Sequence, residues 1–134
     1  MTFKAVVVNG PGDGCEVEEF ERIEDLPLQK TAEGDVVVRV SYSTLNYKDG
    51  MVLEGKPGVT KGYPIVAGID LAGTIVSAGS GFEAGQPVVL TGHYLGQHMD
   101  GGFSQLARVP SSWLVALPEA MSERRSMAIG TAVI

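Results

Sequence analysis

The sequence predicts a mainly β domain, an antiparallel barrel or sandwich with a few short helices. Three observations carry that expectation. About seven short segments are dense in β-branched and aromatic residues. Turn-forming Gly, Pro, Asn and Asp separate them at close intervals. Only two stretches carry helix-start signals. Eighteen glycines among 134 residues suit a meandering β fold, which needs many tight turns.

Taken in order, Phe3–Val8 reads as a strand broken by Gly10, Pro11, Gly12 and Gly14. Glu16–Ile23 alternates loosely and reads as an exposed partner strand, and Asp25–Gly34 reads as a loop. Asp35–Leu45 is the clearest strand, with Val36, Val38 and Val40 alternating with Val37, Arg39 and Ser41. Asn46–Leu53 reads as a short helix with Asn46 as N-cap. Glu54–Tyr63 is a loop carrying Gly55, Pro57, Gly58 and Gly62. Ile65–Ala67 and Leu71–Ala78 are strands on either side of Gly68, and Gln86–Thr91 is a strand led by Pro87. A glycine- and histidine-containing loop, Gly92–Gly102, precedes two short strands, Phe103–Val109 and Trp113–Ala116. After Pro118 a second helical stretch has Ser122 as N-cap, with Arg125 where a full capping box has Glu or Gln. The chain ends at Ile134 inside this helical stretch, without a cap, as expected of a fragment or truncated product.

Composition narrows the function classes. The net charge is −6 and there is no run of Lys or Arg, which argues against a nucleic-acid or anionic-membrane surface. Cys15 is the single cysteine, so no intrachain disulfide forms, in keeping with a reducing compartment. Met1–Asn9 lacks a basic region followed by a long apolar one, and no apolar run approaches the roughly 20 residues needed to cross a bilayer. The expectation is a soluble, cytoplasmic protein.

The segment Ser43-Thr44-Leu45-Asn46-Tyr47-Lys48-Asp49 carries the most chemistry. A strand that ends where a helix begins exposes backbone N–H groups and polar side chains to a cleft. Tyr47 offers a ring for stacking and a hydroxyl, and Lys48 a charge for phosphate. A strand-end cap, with Tyr47 as a packing residue and Lys48 simply solvated, is the structural alternative. In Tyr63–Gly73, Asp70 reads as an aspartate that pins a turn, and Gly68 and Gly73 as bulges or close backbone approaches. His93 and His98 read as polar loop residues before they read as metal ligands. Gly79-Ser80-Gly81-Phe82-Glu83-Ala84 mimics a dinucleotide fingerprint, but Gly85 and Pro87 follow at once, so a surface turn is expected.

The order and spacing of these blocks, with Thr91-Gly92 and Gly101-Gly102-Phe103-Ser104-Gln105, resemble the medium-chain dehydrogenase/reductase superfamily. Leu45-Asn46-Tyr47-Lys48-Asp49 with Gly68-Ile69-Asp70-Leu71-Ala72-Gly73-Thr74 is similar to its acryloyl-CoA-reductase and quinone-oxidoreductase-like branch, and the likeness runs through Ile129-Gly130-Thr131-Ala132. The resemblance implies a GroES-like, partly open antiparallel barrel over residues 1–121. It implies that 122–134 begin a helix linking to a Rossmann nucleotide-binding domain. Zinc-dependent members carry a Cys three residues before an Asp, and then Gly-His-Glu. Here those positions read Asn46 with Asp49, and Gly68-Ile69-Asp70, so a thiolate and an imidazole are missing and no metal site is expected.

The implied function is an NADPH-dependent oxidoreductase that reduces an activated double bond, in an enoyl thioester such as acryloyl-CoA, or a quinone. Polar groups rather than zinc would stabilise the developing oxyanion. The resemblance points to Tyr47 as a cofactor contact, with Asn46 and Lys48 lining the same cleft and Thr131 near the nicotinamide. It places the His93–His98 loop at the border of that cleft, as a substrate contact. The implied partner is a small-molecule substrate, with no nucleic acid or membrane, and the chain is compatible with a homo-oligomer. Lacking a strand, glycine-rich turn and helix to seat a pyrophosphate, the 134-residue chain alone is expected to have little or no reductase activity. A non-enzymatic GroES-like binding or oligomerisation module is the alternative, because fold does not fix function.

Overall fold

A computed structural model of the chain describes residues 2–28, 36–60 and 62–131. In chain order the elements are β1 (Phe3–Val8), β2 (Cys15–Phe20), β3 (Val36–Tyr42), α1 (Tyr47–Glu54), β4 (Ile65–Val66), β5 (Asp70–Ile75), β6 (Pro87–Thr91), β7 (Leu106–Val109), β8 (Val115–Ala116) and α2 (Glu123–Ile129). Single 3-10 turns occupy Ile23–Asp25 and Ser111–Trp113. The mainly β, two-helix architecture is the expected one. The predicted loop Asp25–Gly34 lies outside the described residues from 29 onward, as does Ala132.

The strands form two antiparallel sheets, in the orders β2-β1-β4 and β7-β3-β5-β6-β8. They are joined without closing into a full barrel. Val6 N–H donates to Phe103 O at 2.8 Å and Gln105 N–H to Lys4 O at 2.9 Å, so the chain ahead of β7 stitches β1 to the larger sheet. This explains why the predicted strand Phe103–Val109 begins only at Leu106: the backbone of 103–105 is shared between two partners. β3 likewise stops at Tyr42 rather than Leu45. Its register with β5 shifts between Val40 and Tyr42, and the next two side chains, Ser43 and Thr44, turn to hydrogen-bond Asp70. Ile23 ends up in the 3-10 turn after β2, with its side chain buried.

Within the larger sheet, Val38, Leu71, Ile75, Val88, Leu90 and Val109 form one buried cluster. A second cluster gathers Val8, Val52, Ile65 and Ala67, so α1 docks through Val52. β5 is buried on both faces because α2 packs against it, with Ser126 and Met127 inside. α2 starts as read from the sequence: Ser122 Oγ accepts the Arg125 N–H at 3.0 Å, so the N-cap forms without an acidic third residue.

Gly68 determines how close the strand ends come. It has φ 109, and a Cβ there would stand 2.6 Å from Phe103 N and 2.8 Å from Gly102 N. Any side chain would push the 101–103 backbone away from the start of β5 and break the bonds from Gly102 N–H to Gly68 O and Phe103 N–H to Ala67 O, both 2.9 Å. Gly68→Ala is therefore expected to lower unfolding free energy by about 3 kcal/mol in urea denaturation. Gly12→Ala, which shares a positive φ of 79 but has open space around it, is expected to cost only about 1 kcal/mol. Equal effects would show that backbone conformation, not the close crossing, sets the requirement at Gly68.

Candidate functional site

Asp70 opens β5 with its side chain 0% exposed. Its Oδ2 accepts from Thr44 Oγ1 at 2.7 Å, Asn46 Nδ2 at 3.2 Å and the Thr131 N–H at 3.0 Å. Its Oδ1 accepts from the Gly92 N–H at 3.1 Å and from the Thr131 hydroxyl. One carboxylate thus gathers the end of β3, the N-cap of α1, the end of β6 and the exit from α2. Gly130 makes the last of these reachable: with φ 49 and ψ −164 it ends the helix and turns the chain inward.

A second carboxylate lies beside it. Asp49, the third residue of α1, is also fully buried. Its Oδ2 accepts from the Asn46 N–H at 2.9 Å and Asn46 Nδ2 at 3.2 Å, and its Oδ1 from the Ile69 N–H at 2.8 Å. This is one half of a capping box; in the other, Asn46 Oδ1 faces the Asp49 backbone without closing a full hydrogen bond. Burial pushes the Asp49 carboxyl above its ordinary range, the N–H donors from Asn46 and Ile69 pull against that, and the charge of Asp70 adds to it.

The structure brings together two of the four expected contact residues. Asn46 and Thr131 both meet on Asp70. Tyr47 and Lys48 follow Asn46 on the first turn of α1 and face solvent, Tyr47 at 86% exposure. Asn46 and Tyr47 share the wall of an open groove of about 470 Å³ with Leu45, Gly50, Met51 and Lys56. The Asp70 carboxylate pins four chain segments rather than a single turn, and Thr44, one of its donors, carries no sequence signal that marks it. Ile69 is buried and contributes only backbone to this network.

The other motifs resolve into turns and stacks. Gly79 and Phe82 exchange backbone hydrogen bonds at 2.9 and 3.0 Å, so the mimic of a dinucleotide fingerprint is a tight surface turn. His93 stacks on Trp113 at 5.3 Å and His98 on Tyr94 at 4.4 Å, which puts the two imidazoles in separate ring pairs. Gly92, His93 and Tyr94 run consecutively through the left-handed region, with φ of 72, 53 and 64, directly after the Gly92 N–H binds Asp70. Among the described residues no three His, Cys, Asp or Glu side chains are placed to share a metal ion, and no helix is long and apolar enough to cross a membrane.

Asp49 makes stability depend on pH in a definite direction. Its folded-state pKa is raised above the ordinary value of 3.8, so the folded protein holds this proton more tightly than the unfolded chain. Stability is therefore lost as pH rises from 3.8 through the folded value. Asp49→Asn removes that loss. In urea unfolding from about pH 4 to about pH 7, wild-type stability minus Asp49→Asn stability is expected to fall as pH rises. A difference that grows with pH would refute the assignment.

Comparison with known proteins places this geometry. Residues 32–119 match the family model described as the alcohol dehydrogenase GroES-like domain. The chain is 41% identical over 131 residues to acrylyl-CoA reductase AcuI of Ruegeria pomeroyi, covering 97% of the chain and 39% of that protein. Two solved structures are also similar. Bacillus subtilis yhfP with NAD bound has TM-score 0.86 and 37% identity, over 99% of this chain and 40% of that one. E. coli K-12 YhdH with bound NADPH has TM-score 0.82 and 38% identity, over 96% and 39%. The chain spans about two fifths of the length of these relatives. It belongs to the alcohol dehydrogenase GroES-like domain family.

Proposed function

We propose that this chain is the substrate-side domain of an NADPH-dependent reductase that works without zinc. Its substrate carries an activated double bond, as in an enoyl thioester such as acryloyl-CoA, or is a quinone. Residues 1–121 make the domain, and 122–134 lead toward a nucleotide-binding domain. The observation that carries this reading is the meeting of Asn46 and Thr131 on Asp70. It supports a site built from hydrogen bonds where a metal-dependent relative would build one from ligands. The relative named as an acrylyl-CoA reductase and the NADPH-bound YhdH structure support the substrate class and the nucleotide.

The donor set does not fit zinc. Asn46 offers a neutral amide in place of a thiolate, its nitrogen donating to Thr44 Oγ1 at 2.6 Å and to both carboxylates, and the Ile69 side chain is aliphatic in place of an imidazole. Structural and catalytic zinc sites need thiolate, imidazole or free carboxylate at about 2.0–2.3 Å. The residues do fit the nicotinamide end of a nucleotide. Tyr47 presents an exposed ring and hydroxyl, Lys48 an ammonium, and Thr131 a hydroxyl oxygen at the edge of the Asp70 network.

A bound nicotinamide nucleotide supplies the hydride. The chain's own task is to hold the acceptor carbon in line and to meet the charge that develops on the thioester or quinone oxygen. The Tyr47 hydroxyl and Lys48 ammonium are exposed donors of the right kind. The apolar wall of Leu45 and Met51 excludes water from one side of the groove. The rigid network beneath them keeps the Asn46 and Thr131 backbones from shifting as the ligand arrives.

Titration with NADPH of a protein that carries this domain together with its nucleotide-binding domain, followed by nucleotide fluorescence, tests this directly. Tyr47→Ala is expected to weaken binding about fivefold while leaving the thermal midpoint unchanged, because the ring is solvent-exposed. Metal analysis of the purified protein is expected to find zinc well below one per chain. Stoichiometric zinc, or NADPH affinity unaffected by Tyr47→Ala, would overturn the corresponding part of the reading.

A further inference from the structure

Counting protons around Asp70 determines which way its neighbours' hydrogen bonds run. An ionised carboxylate is an acceptor only, whereas a threonine hydroxyl has one proton and two lone pairs. Three groups on Asp70 can only donate: the Gly92 N–H on Oδ1, and the Thr131 N–H and Asn46 Nδ2 on Oδ2. Both carboxylate oxygens are therefore already acceptors, and the hydroxyls of Thr44 and Thr131 that lie against them must turn their protons inward. Thr44 Oγ1 also accepts from Asn46 Nδ2 at 2.6 Å. Thr131 is solvent-facing, and with its N–H and its hydroxyl proton both directed at Asp70, the polar part of its side chain offers the outside oxygen lone pairs and no proton.

We infer that Asp70 is a positioning residue that sets Thr131 Oγ1 as a hydrogen-bond acceptor, so that the ligand group seated against it is a donor and not the developing oxyanion of the substrate. This rests on the nicotinamide reading above. A negative oxygen brought to Oγ1 would meet lone pairs, and Thr131 cannot reverse its hydroxyl without leaving Asp70 Oδ1 with one donor fewer. The nicotinamide end of a nucleotide carries two groups of the required kind, the carboxamide N–H and the hydroxyls of the adjoining ribose. The oxyanion is then left to other donors, of which the Tyr47 hydroxyl and Lys48 ammonium are the exposed ones.

The test is a ratio of affinities measured on the same protein, with its nucleotide-binding domain present. NADPH is compared with its 3-acetylpyridine analogue, which has a methyl ketone in place of the carboxamide, and with an analogue lacking the hydroxyls of the nicotinamide-side ribose. One of the two is expected to bind about fivefold more weakly than NADPH, and which one identifies the donor. Thr131→Ser is expected to keep that ratio and Thr131→Val to bring it close to one; Thr131 is exposed, so both variants fold. In Asp70→Asn the new amide presents its own N–H to Thr131 Oγ1 and frees the hydroxyl proton, so the ratio is expected to fall with Thr131 intact. A purely structural Asp70 would weaken all three nucleotides together and leave the ratio unmoved. Equal binding of all three by the wild type, or a ratio that survives Thr131→Val, overturns the acceptor assignment and leaves the nicotinamide reading standing, whereas no binding of NADPH at all overturns both.

Discussion

One buried carboxylate with five donors is the constraint on which the site depends. An unpaired Asp70 inside this core would be among the costliest groups to bury, by several kcal/mol. Five donors from four chain segments offset that cost. The bargain runs in both directions. The segments are ordered because the carboxylate needs them, and the carboxylate is tolerated because they are there. Asp49 does similar work at shorter range, tying the first turn of α1 to the backbone at Ile69.

Backbone proximity makes this arrangement possible. The crossing at Gly68 lets Gly101 and Gly102 lie against the start of β5, where a Cβ at Gly102 would sit 2.2 Å from Asp70 O. That same carbonyl accepts the Ser43 hydroxyl at 2.6 Å. The floor of the site is thus main chain packed on main chain, stiff in a way that side-chain packing alone does not achieve. The groove beside it, by contrast, is walled by side chains of a short helix with apolar residues at Leu45 and Met51.

Much of this was legible in the sequence, and the parts that were not share a cause. Period-two alternation located β1 to the residue, because Phe3, Ala5 and Val7 face one core and the strand keeps its ladder with β2 along its whole length. It overshot β3, β5 and the strand leading to β7, where the backbone leaves the ladder to serve a second partner, a fact with no local signature. The caps Asn46 and Ser122 were readable because capping is a matter of residues one turn apart. The network around Asp70 was not, since its members are 22 to 61 positions away and Thr44 looks like any threonine at a strand end. The family resemblance names Asn46 and Thr131 at separate points of the chain; the structure joins them through Asp70. Tyr47 and Lys48 reach solvent from the same turn, and the part in binding proposed for them rests on chemistry and exposure.

The 61-residue separation between Asp70 and Thr131 also bears on how the protein is made. On the ribosome β5 emerges well ahead of the exit from α2, and until that point two of the five donors do not yet exist as folded partners. The nascent sheet therefore holds a half-satisfied aspartate at its centre, and burying it fully waits for Thr131 to clear the tunnel. Long-range closures of this kind are slow compared with hairpin formation. Closing the hydrogen-bond network on Asp70 thus needs a contact that no earlier stretch of the chain can supply.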